Sequence, residues 1–241
     1  VALYAFVSSI SVYPTEAWPN VDEDSPTLTC DDPDAESVTP ETYGALKAAC
    51  DEEVLRRARS KAFVVRPGLI VGPHDPTDRF TYWVRRVSEG GEVLAPEPRD
   101  RRTKWIDARD LAEWICDSCE LARTGVYNAI GPEPRLTMES FLHDCRGVSG
   151  SDARFAWVGK DFLDEHGVQP WTDLPLWIPG IHDDFDCTRA LEAGLRFRPV
   201  SDTIRDTLWW DERRDRSVPM KAGITRAKER ELLDAWARRS G

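Results

Sequence analysis

Short apolar runs alternate with amphipathic stretches along the first third of the chain. Ala2–Ser8 (ALYAFVS) is apolar and ends in small polar residues, the pattern of a buried parallel strand reaching the carboxyl edge of its sheet. An acidic, turn-rich stretch from Asp22 to Glu36 reads as a solvated surface loop. Thr39-Pro40-Glu41 then supplies an N-cap, a proline at the first helical position and an acid for the positive end of the dipole. A helix is therefore predicted from there to about Ala58. Ala62–Arg66 (AFVVR) reads as a second buried strand, broken by Pro67-Gly68. Strand, helix, strand at this spacing is a βαβ unit, which predicts an α/β fold with a parallel sheet and a right-handed crossover. Ligands of such sheets bind beyond the carboxyl ends of the strands, where Ser8, Ser9, Pro67 and Gly68 fall.

Further along, the two periods mix. Helices are predicted over Phe80–Ser88, Arg109–Leu121, Met138–Cys145, Ser201–Trp209 and Lys228–Ala237, and strands over Lys104–Asp107, Gly125–Ile130 and Arg154–Val158. Pro170–Pro179, with its tryptophans and prolines, reads as a packed loop. Asp186 is expected to cap a helix over Cys187–Ala193 that stops at Gly194. A mixed region after a parallel one suggests a smaller α+β lobe attached to the sheet.

Charge and cysteine content narrow the function. With 32 Lys+Arg against 43 Asp+Glu the net charge is −11, which argues against a surface that neutralises nucleic-acid phosphates. No apolar run approaches the ~18 residues of a membrane span, and Val1–Val7 lacks the basic flank and cleavage site of a signal peptide. The six cysteines lie in a chain too large to need disulfide staples, so a reduced, cytoplasmic protein is expected. Cys116 and Cys119 form a C-x-x-C within a predicted helix, on one face with Leu111, Ile115 and Leu121. No second such pair lies at zinc spacing, so both are read as structural and no metal is assigned.

The residues that carry chemistry are Ser9, Tyr43 and Lys47. Tyr43-Gly44-Ala45-Leu46-Lys47 spaces Tyr and Lys by four, so both project from one helix face. A free phenol has a pKa near ~10, and a neighbouring ammonium favours the phenolate. That converts a poor acid–base group into one suited to a carbinol or carbonyl oxygen. Ser9, at a facing strand end, would hydrogen-bond the same oxygen.

At these residues the chain resembles the short-chain dehydrogenase/reductases, in their extended, epimerase/dehydratase-like branch. The similarity runs through Val7-Ser8-Ser9-Ile10-Ser11-Val12-Tyr13, Tyr43-Gly44-Ala45-Leu46-Lys47 and Arg66-Pro67-Gly68-Leu69-Ile70-Val71-Gly72-Pro73. It continues in Trp105–Ala112 and in Asp186–Pro199 (DCTRALEAGLRFRP). The resemblance implies a Rossmann-type doubly wound sheet binding NAD or NADP. Residues 1–75 would be the later part of that domain and 76–241 mostly a substrate lobe, with about 103–122 returning to the sheet. It also implies roles. Tyr43 would be the acid–base, Lys47 would tune it and hold the nicotinamide ribose, and Ser9 would polarise the substrate oxygen. Ser8 would lie under the nicotinamide ring, and the backbone of Pro67, Gly68, Leu69 and Ile70 would bracket its carboxamide.

Two departures qualify that resemblance. The family's Gly-rich turn after the first strand is absent: Gly90-Gly91 lies outside any βα turn. At ~30 residues per βαβ unit, roughly 80 residues are expected ahead of Val1, so the chain alone should be a poor catalyst. The Asp-Glu pair that nucleotide-sugar dehydratases of this branch carry after the hydroxyl residue is replaced by Ile10 and Ser11, which disfavours elimination of water. Carbonyl reduction or alcohol oxidation on a small molecule is the expected activity. Epimerisation of a sugar or nucleotide sugar through a transient ketone is one alternative, and a non-catalytic binding protein on the same fold another. His74, Arg79 and Trp171 are candidate substrate contacts. Arg101 and Arg102 could likewise meet a phosphate or carboxylate, and Trp177 could pair with Trp171 over a cleft. His143, His166 and His182 have no spaced partners. The apolar Ala45–Val54 face of the Tyr-bearing helix would allow a homodimer.

Overall fold

In chain order the computed structural model has β1 (Tyr4–Val7), α1 (Pro40–Ala58), β2 (Ala62–Pro67), β3 (Leu69–Val71), α2 (Arg79–Ser88) and β4 (Glu92–Pro96). These are followed by β5 (Arg102–Asp107), α3 (Ala108–Glu120), β6 (Gly125–Ala129), β7 (Gly131–Thr137), α4 (Met138–Ser149) and β8 (Arg154–Val158). α5 (Lys160–Glu165), α6 (Thr188–Glu192), α7 (Val200–Asp211) and α8 (Arg226–Ser240) complete it. The structure describes residues 2–14, 21–179 and 185–240. Two compact units divide the chain: unit 1 is Val1–Ile70, Lys104–Pro132 and Ile181–Phe197, and unit 2 is Val71–Thr103, Glu133–Gly180 and Arg198–Gly241.

Unit 1 is an α/β arrangement on a parallel sheet of order β1-β2-β6. Tyr4 pairs with Ala62 and Val7 with Val65, while Phe63 pairs with Gly125 and Pro67 with Ala129. The central strand β2 is buried along its whole length, as a strand covered on both faces must be. Its side chains alternate: Phe63 and Val65 pack with Leu111 and Trp114 of α3, and Arg66 reaches Asp51 of α1 on the opposite face. The Phe63 and Trp114 rings meet edge-on with centroids 5.5 Å apart. Ala190 and Leu195 close the same core, and the Trp114 indole N–H donates to the Ala193 carbonyl at 3.1 Å.

Two helices start as their capping residues predict, whereas α6 starts at Thr188 with Cys187, not Asp186, in the N-cap position and no side-chain cap bond from it. α1 begins at Pro40 with Thr39 and Thr42 exchanging side-chain and backbone hydrogen bonds, a capping box in which a threonine replaces the usual Glu or Gln. Thr137 and Ser140 do the same for α4, and Gly150, at φ 66°, ends it.

Unit 2 contains a parallel pair, β4 with β8, in register from Glu92↔Arg154 to Pro96↔Val158. α2 buries seven of its ten residues, with Phe80 against Phe141 of α4 at 5.1 Å. The Trp83 indole N–H donates to the Pro175 carbonyl at 2.6 Å. Buried ion pairs join its elements: Arg86 of α2 with Glu229 of α8, and Arg85 of α2 with Asp211 of α7. No helix among the described residues is long and apolar enough to cross a membrane.

Three expectations are corrected. β1 is parallel but not buried: Tyr4 and Val7 are 47% and 44% exposed, because the strand has β2 as its single neighbour in this sheet. The 22–36 stretch is not wholly solvated, because the Glu23 carboxylate is buried, accepting the Asn128 N–H at 2.8 Å. Cys116 and Cys119 do not share a covered face: Cys119 packs against the α3 core, Cys116 is exposed, and Leu121 is exposed just past the helix end. β3, β4, β7 and α5 were not expected. The apolar EVLA after Gly90-Gly91 was a readable strand signal, whereas three-residue β3 and six-residue α5 are too short for a period to show.

Candidate active site

The site grows out of the carboxyl end of β1. The Ser8 N–H continues the sheet ladder to the Val65 carbonyl at 2.7 Å. Ser9 then leaves the sheet and caps a single 3₁₀ turn, Ile10–Val12, its Oγ accepting the Ser11 N–H at 3.1 Å. A hydroxyl that accepts from its own turn keeps its hydrogen free to donate elsewhere. Ser9 is 9% exposed, and the Ser8 hydroxyl is buried with no hydrogen-bond partner among the described residues.

Gly44 brings α1 onto that turn. A Cβ there would lie 2.3 Å from the Ser11 carbonyl oxygen and 2.9 Å from the Leu28 side chain, so only glycine permits this approach of helix to turn. Tyr43, the residue before it, is 39% exposed at the helix surface. Lys47, one turn on, donates from Nζ to the Val7 carbonyl at 2.8 Å and stands 4.3 Å from the centre of the Phe6 ring. The ammonium thus ties α1 to the last residue of β1, immediately before Ser8.

The β2 end meets the same turn. A Cβ on Gly68 would lie 3.1 Å from Ile130 and 3.7 Å from the Ile10 side chain, and the Gly68 N–H reaches the Ala129 carbonyl at 3.3 Å. Leu69 is half-buried and Ile70 exposed. Ser8, Ser9, Lys47 and the Pro67-Gly68 strand end therefore gather at one edge of the unit 1 sheet.

Beneath them runs a buried polar network that the sequence reading missed. Arg66 donates from Nε to Asp51 Oδ2 at 2.8 Å and from a terminal nitrogen to the Tyr13 hydroxyl at 2.7 Å. That hydroxyl donates to Asn128 Oδ1 at 2.8 Å, and Asn128 in turn holds Glu23. Burial raises the Tyr13 phenol above its ordinary range against the opposing pull of Arg66, so its hydroxyl stays protonated as a donor. Burial likewise raises Glu23, against the N–H of Asn128 and the charge of Arg189. The available signal was Arg66 itself, a charge ending an otherwise apolar buried strand.

The remaining candidates lie in unit 2 or outside the site. His74 is exposed, its ring 5.2 Å from that of Trp210, and Arg79 lies over Trp171 at 4.7 Å. Trp177 is wholly buried and donates to the Glu97 carbonyl, a packing role. His143 packs on Phe155, and His166 bonds the Phe162 carbonyl; His182 lies outside the described residues. Burial pushes the Cys187 thiol up to about 12, which removes it as a nucleophile. No group of three or more His, Cys, Asp and Glu side chains among the described residues could hold a metal ion.

Comparison with known proteins bears on these residues. Residues 1–129 match the model of the NAD dependent epimerase/dehydratase family. No curated protein sequence matches the chain. Among solved structures it is similar to RMD from Pseudomonas aeruginosa complexed with NADPH, at 13% identity and a TM-score of 0.61, over 88% of this chain and 67% of that one. It is also similar to UDP-glucuronic acid 4-epimerase from Bacillus cereus in complex with NAD, at 14% identity and a TM-score of 0.60, over 90% and 62%. A third is UDP-N-acetylglucosamine 4-epimerase from Methanobrevibacter ruminantium M1, in complex with UDP-N-acetylmuramic acid, at 16% identity and a TM-score of 0.63, over 88% and 63%. The chain therefore spans about two thirds of the length of these structures, and at such identities the likeness is one of fold.

Proposed function

The chain belongs to the NAD-dependent epimerase/dehydratase family, and from that premise we propose that it carries the acid–base half of an NAD(P)-dependent oxidoreductase acting on a small carbonyl or alcohol. The observation that carries this reading is the gathering of Ser9, Lys47 and the Pro67-Gly68 end on one sheet edge, with Tyr43 on the helix that Gly44 seats there.

The residues fit a nicotinamide nucleotide. The orphaned Ser8 hydroxyl and the Lys47 donors not spent on Val7 lie on a strand edge of the kind such a ligand uses, with the backbone from Pro67 to Ile70 beside them. When bound, the nicotinamide supplies or accepts the hydride. Lys47 has three donors, of which one is spent on Val7, leaving the others for ribose hydroxyls. Ser9, whose Oγ accepts from Ser11, directs its own hydrogen to the substrate oxygen and holds it. Tyr43 gives that oxygen its proton in reduction and takes it back in oxidation. Ile10 and Ser11 offer no carboxylate, so dehydration has no acid–base pair beside Ser9. In this reading unit 1 provides cofactor chemistry, unit 2 recognises the substrate, through His74, Arg79 and Trp171 among others, and the protein works in the cytoplasm. α1, with Ala45 and Val54 half-buried, is the surface we assign to a homodimer.

Purification of the protein as its gene encodes it separates reductase from epimerase. A reductase is expected to exchange its nucleotide freely and to consume reduced cofactor mole for mole with product. Nucleotide that co-purifies, with product formed and no net oxidation, would replace this assignment with epimerisation.

A further inference from the structure

Arg79 opens α2 half-buried, its guanidinium 4.7 Å over the Trp171 ring. Its neighbours in unit 2 show how unusual its state is. Arg85 pairs with Asp211, Arg86 with Glu229 and Arg214 with Asp78. Arg79 has neither a hydrogen bond from its guanidinium nor an ion pair among the described residues. Burial lowers its pKa and the charge of Asp75 opposes this; Asp75 holds the Thr77 N–H and hydroxyl through Oδ1, each at 2.8 Å, while its buried Oδ2 has no hydrogen-bond partner among the described residues. A half-desolvated charge that makes no direct ion pair among the described residues costs free energy that packing on one ring does not return.

The backbone on both sides of this stack is held in left-handed conformations. On the arginine side His74 has φ 70° and Asp78 φ 59°; on the tryptophan side Trp171 and Leu176 both have φ 65°. Such conformations in non-glycine residues persist where surrounding structure over-determines them, and they cluster at ligand clamps. Here the anchors are visible. Asp78 is buried under Arg214 and accepts the Lys221 N–H at 3.0 Å, while the Trp171 N–H reaches the carbonyl of fully buried Trp177 at 3.0 Å. A guanidinium laid on an indole has its face occupied, and its N–H edge lies in the plane as a fork for two oxygens.

We propose that Arg79, stacked on Trp171 and making no ion pair among the described residues, is an oxyanion-binding element of unit 2 that takes the carboxylate or phosphoryl group of a small molecule. The assignment stands on unit 2 alone and does not depend on the chemistry proposed for unit 1. Calorimetric titration at constant ionic strength tests it, with inorganic phosphate and acetate as probes. Saturable binding is expected, and the tighter of the two anions names the group. Arg79→Gln is expected to weaken that anion at least about tenfold, the loss of a charge-assisted forked pair. Arg79→Lys, which keeps the charge without the fork and guards against a folding failure of the first variant, should bind less tightly than the wild type. Arg205→Gln, on the exposed face of α7, should leave binding unchanged. Absence of saturation by either anion, or wild-type affinity in both Arg79 variants, would overturn the proposal.

Discussion

Replacing Tyr43 by Phe is expected to lower turnover by about 10²–10⁴-fold, the range of a positioned general acid–base group. Fold and nucleotide binding should survive. The phenol oxygen is the single heavy atom removed, and Tyr43 is 39% exposed, so its loss opens no cavity and strands no buried partner. In the function proposed above, Tyr43 is the proton donor at the substrate oxygen, and its loss leaves the bonds of Ser9 to Ser11 and of Lys47 to Val7 in place. The effect should therefore fall on kcat with little change in nucleotide affinity, because an interaction made in the transition state has been deleted. Turnover within a few-fold of wild type would remove Tyr43 from the chemistry.

Arg66→Met should produce the largest loss of stability, about 3–5 kcal/mol, since removing one partner strands a buried charge. Asp51 and Arg66 are 2% and 4% exposed, and the guanidinium also serves the Tyr13 hydroxyl and the Glu23 carbonyl. Asp51 Oδ1 already lacks a partner among the described residues, so without Arg66 the whole carboxylate would be unsatisfied inside unit 1. The paired change Asp51→Leu with Arg66→Met should cost much less than the sum of the single changes, because no charge is left behind. Urea unfolding of the four proteins of this cycle measures the coupling. Additive single-site costs would show that the pair is not a unit.

The network also explains what the sequence could and could not disclose. α1 was legible to its last residue because its signals are local: Thr39 caps, Pro40 starts, and the run of Ala, Leu, Glu and Arg sustains the helix. β2 was legible because five consecutive residues admit no solvent-facing alternative. Ser9, Tyr43 and Lys47 stood out in the sequence because each side chain has the chemistry of its proposed role. The reason for Gly44 was not, since a Cβ clash with the Ser11 carbonyl exists only after helix and turn have met. Nor was the partnership of Asp51 with Arg66, fifteen residues apart and on different elements. The exposure of β1 depends on how many strands flank it, and a heptapeptide carries no record of its neighbours. The Arg79 stack likewise rests on a tryptophan far along the chain.

Hydride transfer by this protein can be followed directly with an isotope label. The protein, as its gene encodes it, would be given reduced nicotinamide nucleotide deuterated at the transferring carbon, together with a panel of small carbonyl compounds, and the products read by mass spectrometry. One deuterium is expected on the former carbonyl carbon of the accepted substrate, lost when Tyr43 is replaced by Phe. Products formed without label, or labelled equally by the Tyr43→Phe protein, would contradict the proposed chemistry.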